Sequence, residues 1–260
     1  MRVCVFASGS SGNCLLLSAG KSNILIDAGI SARRIVTGLA KQQLTMDDIS
    51  GVLITHEHSD HVSGLKTLLK HYNVKLYAPR TVAHRLEGML PETMGRINVI
   101  RPGESFMVGQ LNIRAFHTPH DTDESVGYRI ESDGVFAIAT DMGHVSGEVE
   151  SALMGADTVL IESNHDVDML RYGKYPVYLK RRILSERGHL SNADCAALLK
   201  RLAQSGTRQV ILGHLSRENN SPAKAMSEAC CALEGTGVSV CCAPVLGELE
   251  VEVGKEPCLT

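Results

Sequence analysis

The sequence predicts one α+β domain spanning residues 1–260, built from short strands with helices between them. Short apolar runs bounded by turn residues alternate with segments whose apolar residues recur every three or four positions. No charge run and no linker rich in proline, glycine or serine divides the chain. In addition, a histidine, aspartate or glutamate directly follows several of the apolar runs. If those runs are strands of one sheet core, these side chains meet at one of its edges.

The first half of the chain is predicted to be rich in strands. Residues 3–7 and 14–17 are joined by the small-residue loop 8–13, which either makes a plain hairpin turn or presents backbone amides to an anion. A third strand, 23–26, ends in the turn Asp27-Ala28-Gly29. Helical periodicity covers 35–44, 81–90 and the segment from Cys195 to Leu202. The other predicted strands are 49–54, 74–77, 97–100, 105–108, 111–116, 126–130, 136–139, 158–161 and 210–212.

Composition limits the function without identifying it. The chain is 43% hydrophobic and 21% charged, and a formal net charge of −3 gives no overall attraction to nucleic acid. The N-terminal apolar run is too short for a signal peptide, and no stretch is long and apolar enough to span a membrane. Eight cysteines without secretory features predict reduced thiols. We expect a cytoplasmic protein without membrane contacts, and a homodimer is left open.

Residues 55–61, Thr-His-Glu-His-Ser-Asp-His, carry the strongest chemical signal. They lie between an apolar run, 52–54, and a helical pattern from Val62 to Leu69. In an extended chain His56, His58 and Asp60 point the same way, and His61 turns with the helix. Three imidazoles and a carboxylate suit zinc or a similar divalent cation. The simplest division gives two of these ligands to each of two cations.

A histidine-rich surface turn, or a helix whose N-cap is Ser59 or Asp60, is the alternative interpretation. Four ligand-type residues directly after a buried strand favour metal binding. The pattern His-x-His-x-Asp-His after an apolar strand also resembles the signature of the metallo-β-lactamase superfamily. This resemblance implies a four-layer αβ/βα sandwich, with two mixed sheets face to face, helices outside and a dinuclear site at one edge.

The resemblance implies further ligands downstream. Two histidines compete for the third position, and His120 fits better than His117 because it stands just before a loop that returns through Gly127-Tyr128. Asp141 resembles the carboxylate that bridges both cations, although an aspartate capping a turn is the alternative. His214, after the run 210–212, resembles the last ligand.

The implied site holds two divalent cations that share a hydroxide as the nucleophile. Zinc is the first expectation for this ligand set, and manganese or iron would accept the same side chains. The two implied shells are His56, His58, His120 and Asp141 for one cation, and Asp60, His61, Asp141 and His214 for the other.

Two more segments resemble those of ribonuclease Z-type phosphodiesterases. Residues 161–165 resemble a strand-end segment with an essential glutamate, here Glu162, and residues 188–193 resemble a Gly-His-Ser-Thr segment, here with His189. By that resemblance Glu162 orients His189, which donates a proton to the leaving oxygen. The predicted catalytic residues are Asp60, Glu162 and His189. A histidine without a partner at the start of a helix is the alternative for His189.

Substrate contacts are predicted from local charge. Residues 171–182 interleave cations and tyrosines, so the cations would follow a phosphate backbone and the rings would stack on bases. A solvated basic helix face explains this run equally well, and a surface position explains His165 equally well. The predicted substrate-binding residues are His165, Lys180, Arg181 and Arg182.

Taken together, these motifs resemble the WalJ/YycJ-type bacterial branch of the superfamily over nearly the whole chain. That branch is associated with 5′-to-3′ exonuclease activity on DNA, so DNA is the implied partner. One rival is a thioester or lactone hydrolase of the glyoxalase II kind, although residues 118–120 are Thr-Pro-His and not Thr-Pro-Gly-His. The other rival is a non-catalytic nucleic-acid-binding relative. The segments that carry the resemblance are residues 8–13, 27–29, 55–61, 162–166, 188–192 and 214–220.

Overall fold

Two seven-stranded sheets form the centre of the structure, a computed structural model that describes residues 1–254. The predicted domain limit at residue 260 lies outside the described residues. In chain order the strands are β1 (Arg2–Ala7), β2 (Cys14–Ala19), β3 (Ser22–Ile26), β4 (Ile49–Leu53), β5 (Leu76–Pro79), β6 (Ile97–Ile100), β7 (Ser105–Val108), β8 (Leu111–His117), β9 (Val126–Glu131), β10 (Val135–Ala139), β11 (Thr158–Glu162), β12 (Gln209–Gly213), β13 (Ser239–Cys242) and β14 (Leu249–Glu252).

Both sheets are mixed, and their pairing patterns mirror each other. The first has the order β14-β1-β2-β3-β4-β5-β6, and the second β13-β12-β11-β10-β9-β8-β7. In the first, β3 to β6 run parallel and the other pairs are antiparallel. In the second, β10 to β13 run parallel and the other pairs are antiparallel. Each sheet therefore contains four parallel strands whose carboxyl ends lie at one edge.

Side chains on each strand alternate between the apolar core that lies between the sheets and the core between that sheet and its helices. Val3 and Val5 of β1 pack between the sheets, whereas Cys4 and Phe6 face the helices of the first sheet. In the second sheet Leu160 packs between the sheets, while its neighbours face the helices on the other side. Burial on both faces explains why the strands are nearly continuous apolar runs. The layers are therefore helices, sheet, sheet and helices, which confirms the predicted four-layer sandwich.

Helices cover the outer face of each sheet. None of those described in residues 1–254 is both long enough and apolar enough to cross a membrane. On the first sheet lie α1 (Ala32–Lys41), α2 (Ser59–Val62), α3 (Leu65–His71) and α4 (Arg80–Met89), and on the second α5 (Gly147–Leu153), α8 (Asn192–Gln204) and α9 (Pro222–Ala232). Between β11 and α8 come α6 (Val167–Tyr172) and α7 (Val177–Ile183), and two 3₁₀ turns span Met46–Asp48 and Pro91–Thr93.

Two helix boundaries differ from the predicted ones. Helix α1 begins and ends before the predicted 35–44, because Ser31 caps its first turn and Gln43 has a φ of 58° just beyond its end. The helix predicted after the metal motif is divided into α2 and α3 at Gly64. The Gly64 N–H donates to Ala28 O, and a Cβ there would lie 2.1 Å from Ile30 O. A tertiary contact sets this break, which the apolar spacing could not show.

Gly29 gives a test of the packing between the first sheet and the metal motif. A Cβ on Gly29 would lie 1.6 Å from Asp60 O and 2.7 Å from Asn13 N. Gly29→Ala should therefore lower the free energy of unfolding by about 3 kcal/mol or more, a fall in Tm of roughly 6–12 °C. Thermal unfolding followed by circular dichroism measures this change.

The matched control is Gly88→Ala, in α4, where a Cβ would meet no atom within 4 Å. There alanine should stabilise the helix by about 0.5–1 kcal/mol. Equal Tm values for Gly29→Ala and the unsubstituted protein would contradict this account of the packing.

Candidate metal centre

The junction between β4 and α2 supplies four of the predicted ligands. His58 takes the N-cap position of α2 in an extended conformation, and its ring makes no capping hydrogen bond, so it is available to the cluster. Asp60 and His61 follow in the first turn of the helix. The ring centroid of His56 lies 4.6 Å from that of His58 and 4.0 Å from that of His61. The strand end and the helix start thus bring these side chains together.

Three downstream residues join this cluster. His120 Nε2 lies 3.3 Å from His58 Nδ1, and Asp141 Oδ2 lies 3.3 Å from His61 Nε2. His214 Nε2 lies 3.7 Å from Asp60 Oδ2. Possible ligand atoms within 4.8 Å of one another come from four sets of residues: His56, His58 and His120; His56, His61 and Asp141; Asp60, His61 and His214; and Asp141, Glu162, His189 and His214.

All seven predicted ligands therefore converge in one cluster, in which His56, His61, Asp141 and His214 each belong to two of these sets. His117 does not belong to the cluster. Its side chain is 54% exposed and lies 3.6 Å from Glu124 and 3.4 Å from Glu148.

The side chains present fit divalent cations. Four buried atoms in the cluster have no hydrogen-bond partner within the protein: His56 Nε2, His214 Nε2, Asp141 Oδ2 and Asp121 Oδ1. Buried polar atoms are ordinarily paired, so atoms of imidazole and carboxylate that converge without partners are suited to metal coordination. With the fold, this cluster of histidine and aspartate indicates divalent metal ions as the cofactor.

Asp27 fixes the orientation of His61. Its Oδ2 accepts a hydrogen bond of 2.7 Å from His61 Nδ1, and its two oxygens also accept hydrogen bonds from the Thr55 hydroxyl. Because Nδ1 is used in this way, Nε2 is the nitrogen of His61 that faces the cluster. Asp27 therefore holds His61 and Thr55 in place at the floor of the site.

Glu162 holds two histidines at once. Its Oε1 accepts hydrogen bonds of 2.8 Å from His189 Nδ1 and from His214 Nδ1. Its Oε2 accepts hydrogen bonds from the backbone N–H groups of Met142 and Leu190, at 2.9 and 3.2 Å. Burial opposes ionisation of Glu162, yet the charge on His189 and these hydrogen bonds hold its pKa down to about 2. The link to His189 was predicted, whereas the link to His214 was not.

Buried carboxylates dominate the electrostatics of the site. Burial lowers the pKa of His214, but Asp141, Asp60 and Glu162 outweigh it and raise that pKa to about 10. The pKa of His61 is also raised, because the effect of Asp27 and Asp141 outweighs that of burial. Burial lowers the pKa of His56 and of His120, so these imidazoles are neutral. A divalent cation would take the place of the protons on His214 and His61.

Three residues of the site have left-handed backbones. The φ angles of Asp27 and Asp141 are 58°, and that of His214 is 53°. For residues other than glycine this conformation costs about 1–3 kcal/mol and persists only where the surroundings impose it. Each of the three lies within two residues of the end of a strand, so the turn redirects the chain where the strand gives way to the site.

Sequence reasoning missed two polar residues of the site. Asp121 Oδ1 lies 3.3 Å from His120 Nε2, and its other oxygen accepts a hydrogen bond from Arg182. Asn13 Nδ2 lies 3.0 Å from His61 Nε2 and 3.5 Å from Asp60 Oδ2. The position of Asp121 directly after a predicted ligand was an available signal. For Asn13 the only signal was its place in the loop 8–13.

Asparagine side chains hold together the three loops that contain or directly follow Glu162, His189 and His214. Asn164 Nδ2 donates to His214 O at 2.8 Å. Asn220 Nδ2 donates to Ser163 O and to Asn192 Oδ1, both at 2.8 Å. These bonds fix the relative positions of the loops after β11, before α8 and after β12.

A cavity of about 240 Å³ opens over the cluster, and His58, His189, His214, Tyr175 and Arg182 are among its lining residues. Of the four predicted substrate-binding residues, Arg182 alone lines it. Arg181 is exposed elsewhere on α7, and Lys180 Nζ donates to Arg171 O.

His165 is only 2% exposed and does not line the cavity. Burial lowers its pKa to about 4, so its ring is neutral. This position corrects both readings of His165, as a phosphate contact and as a surface residue.

Comparison with known proteins gives consistent matches. The family model for the β-lactamase superfamily domain matches residues 22–215. An exodeoxyribonuclease WalJ of Streptococcus pneumoniae serotype 2 is 39% identical over 222 residues, which cover 83% of this chain and 82% of that protein. An exodeoxyribonuclease YycJ of Bacillus anthracis is 35% identical over 240 residues, covering 91% and 90%. The metallo-β-lactamase fold protein YhfI of Bacillus subtilis has a similar structure, with a TM-score of 0.75 over 96% of this chain and 98% of that one. Because the two sequences are 16% identical, this similarity supports the fold alone.

The choice between His120 and His117 can be tested by metal analysis. His120→Ala removes a nitrogen from the half of the site formed with His56 and His58, so the variant should retain about one equivalent of zinc fewer after dialysis. His117→Ala is the control, because that ring is exposed and lies outside the cluster. It should retain as much zinc as the unsubstituted protein, as measured by elemental analysis. The reverse pattern would assign the third ligand to His117.

Proposed function

The chain belongs to the β-lactamase superfamily, a superfamily of metallo-hydrolases, and from this premise we propose that it is a metal-dependent phosphodiesterase that degrades DNA from an end. The observation that carries the proposal is a cluster of ligand side chains in a cavity that His189 also lines, with the buried Glu162 holding that histidine. The relatives named as exodeoxyribonucleases support DNA as the substrate and exonuclease as the mode. A cytoplasmic location belongs to the same proposal.

The metal-binding part of the proposal keeps the two shells that meet at Asp141. His56, His58 and His120 would hold one cation with it, and Asp60, His61 and His214 the second. Two cations bound there would polarise a phosphodiester and make water shared between them nucleophilic at neutral pH. Zinc remains the first expectation, with manganese or iron as alternatives.

His189 is the proposed general acid. Its Nδ1 donates to Glu162, which leaves Nε2 as the nitrogen available to the cavity. Burial lowers the pKa of His189, but the charge of Glu162 and this hydrogen bond outweigh burial and raise it above its ordinary value. This ring therefore holds its proton more firmly than a free imidazole does, and it can pass a proton from Nε2 to the leaving oxygen.

Arg182 is the proposed phosphate contact within the cavity. Its Nε donates to Asp121, which lies against His120. The two terminal nitrogens make no ion pair within residues 1–254, so they are available to the non-bridging oxygens of a phosphodiester. Asp121 thereby positions the Arg182 guanidinium, which would neutralise the substrate's charge next to the ligand cluster.

The hydrolytic activity can be tested with DNA and RNA labelled at the 5′ or the 3′ end. Zinc-loaded protein should release terminal nucleotides from DNA, and removing the metal with EDTA should abolish cleavage. Asp141→Asn should lower the rate at least about 10³-fold, because one oxygen of the shared carboxylate is lost. Folding is checked by circular dichroism, and His117→Ala should cleave at the unsubstituted rate.

Faster turnover of a thioester than of bis(p-nitrophenyl) phosphate would favour the small-molecule hydrolase instead. Persistent cleavage of DNA in EDTA would contradict the metal mechanism. Binding of DNA without any cleavage would favour the non-catalytic relative.

The role of His189 can be tested with leaving groups of different pKa. His189→Ala should slow cleavage of an alkyl phosphodiester by about 10²–10⁴-fold, because a poor leaving group needs the proton. A p-nitrophenyl ester leaves without protonation, so its cleavage should change much less. Comparable losses of kcat on the two substrates would argue that His189 positions other groups and does not donate a proton.

A further inference from the structure

Helices α6 and α7 present large aromatic and apolar side chains to solvent beside the cavity. Tyr172 is 86% exposed, Tyr178 74% and Val177 64%. Single exposed apolar residues are ordinary, but several within one short segment mark an interaction surface. Among the aromatic contacts of residues 1–254, neither tyrosine packs on another ring.

The same segment carries a concentrated positive charge. Residues 167–184 contain five cations and one carboxylate, although the formal net charge of the whole chain is −3. Arg171, Lys174 and Arg181 form no ion pair within the described part of the chain, and Lys180 Nζ donates to a backbone oxygen, Arg171 O. The charge of this segment is therefore largely uncompensated and available to a polyanion.

This surface is continuous with the cavity. Leu179, Arg182 and Ile183 line the cavity from one side of α7, and Tyr175 lines it from the turn before that helix. Tyr178 and Arg181, three positions apart and exposed, share another face of the same helix. A chain bound along the exposed face would thus reach the cavity within one or two helical turns.

We propose that residues 171–182 form a platform for single-stranded nucleic acid that leads into the cavity. Bases stack on Tyr172 and Tyr178, while phosphates lie along Arg171, Lys174 and Arg181. This inference rests on the proposed phosphodiesterase function, because the strand is the substrate that the cavity cleaves.

The chemistry of the platform favours a single strand over other partners. Stacking on a side chain needs a base whose face is free, which a duplex interior does not offer. An apolar protein partner would gain nothing from five cations. The cavity, at about 240 Å³, is smaller than the roughly 300–1,000 Å³ of pockets that enclose drug-sized ligands. The contacts that hold a polymer must therefore lie outside it.

Stacking is tested by binding of zinc-loaded protein to a fluorescent phosphorothioate oligonucleotide, chosen because it resists cleavage. The double variant Tyr172→Ala/Tyr178→Ala should weaken binding of the single strand at least about fivefold. Tyr172→Phe/Tyr178→Phe keeps both rings and should bind within about twofold of the unsubstituted protein. Binding of a duplex of the same length should not change. Equal single-strand affinity in the alanine and unsubstituted proteins would overturn the platform.

The cations are tested by the salt dependence of the same binding. Replacing Arg171, Lys174 and Arg181 by glutamine should reduce the slope of log Kd against log salt by about 2, because each phosphate contact contributes roughly 0.7. The matched control replaces Lys66, Lys75 and Lys200 by glutamine, three exposed lysines outside the platform. An equal loss of slope in both sets would assign the effect to overall charge and overturn the local platform.

Turnover of bis(p-nitrophenyl) phosphate separates failure of the platform from failure of the proposed function. Both platform variants should hydrolyse this small ester at the unsubstituted rate, because none of the substituted residues touches the ligand cluster. If the unsubstituted protein cleaves neither DNA nor the ester, the phosphodiesterase proposal fails. If it cleaves both and the variants bind the single strand as well as it does, the platform alone is wrong.

Discussion

Buried negative charge at one edge of the sandwich is the constraint on which the site depends. Asp27, Asp141 and Glu162 are each at most 3% exposed, and a buried carboxylate costs several kcal/mol unless it is paired. Asp27 is satisfied by His61 and Thr55, and Glu162 by two histidines and two backbone N–H groups. Asp141 differs, because it faces four imidazoles and its Oδ2 has no hydrogen-bond partner. Its charge is therefore balanced by the rings of the cluster itself, and the histidines around it lower the pKa of Asp141 well below its ordinary value. A carboxylate that several ligand-type side chains surround, with one oxygen unpaired, is suited to metal coordination.

The two-sheet architecture provides the rigidity that such a charge cluster needs. Asp27 and the metal motif follow the parallel strands β3 and β4, while Asp141, Glu162 and His214 end or follow the parallel strands β10, β11 and β12. Strands buried on both faces cannot shift without opening an apolar core, so their ends hold the charged groups in place. The left-handed turns at Asp27, Asp141 and His214 show that the chain adopts unfavourable backbone angles to keep this arrangement. The packing energy of the cores offsets that cost.

Much of this could be predicted from the sequence because local patterns determine it. Continuous apolar runs identify strands buried on both faces, and ligand-type residues at their ends indicate a site at one edge of the core. The four-layer sandwich and the complete set of seven ligands came from the resemblance to the superfamily. Contacts set by tertiary structure were not visible. The division of the helix at Gly64 depends on the backbone of the turn after β3, and the double role of Glu162 depends on two loops that meet only in the fold. The charge pattern of α7 also could not show that Arg182 faces the cavity while Arg181 faces solvent. A substrate-binding surface and a solvated basic helix face have the same amino-acid composition.

The position of the platform within the chain suggests how substrate binding and catalysis are joined. Helices α6 and α7 lie between Glu162 and His189, so both ends of the segment that would hold the substrate continue into this hydrogen-bonded pair. A third connection is the ion pair from Arg182 to Asp121, which lies beside the ligand His120. A strand that draws Arg182 toward its phosphate would act on the ligand cluster through Asp121 and on His189 through the end of α7, where His189 N donates to Ile183 O at 3.0 Å. This short segment contacts both the ligand cluster, through Asp121, and His189. Substrate preference can therefore vary in the segment while the strand ends that form the cluster stay unchanged.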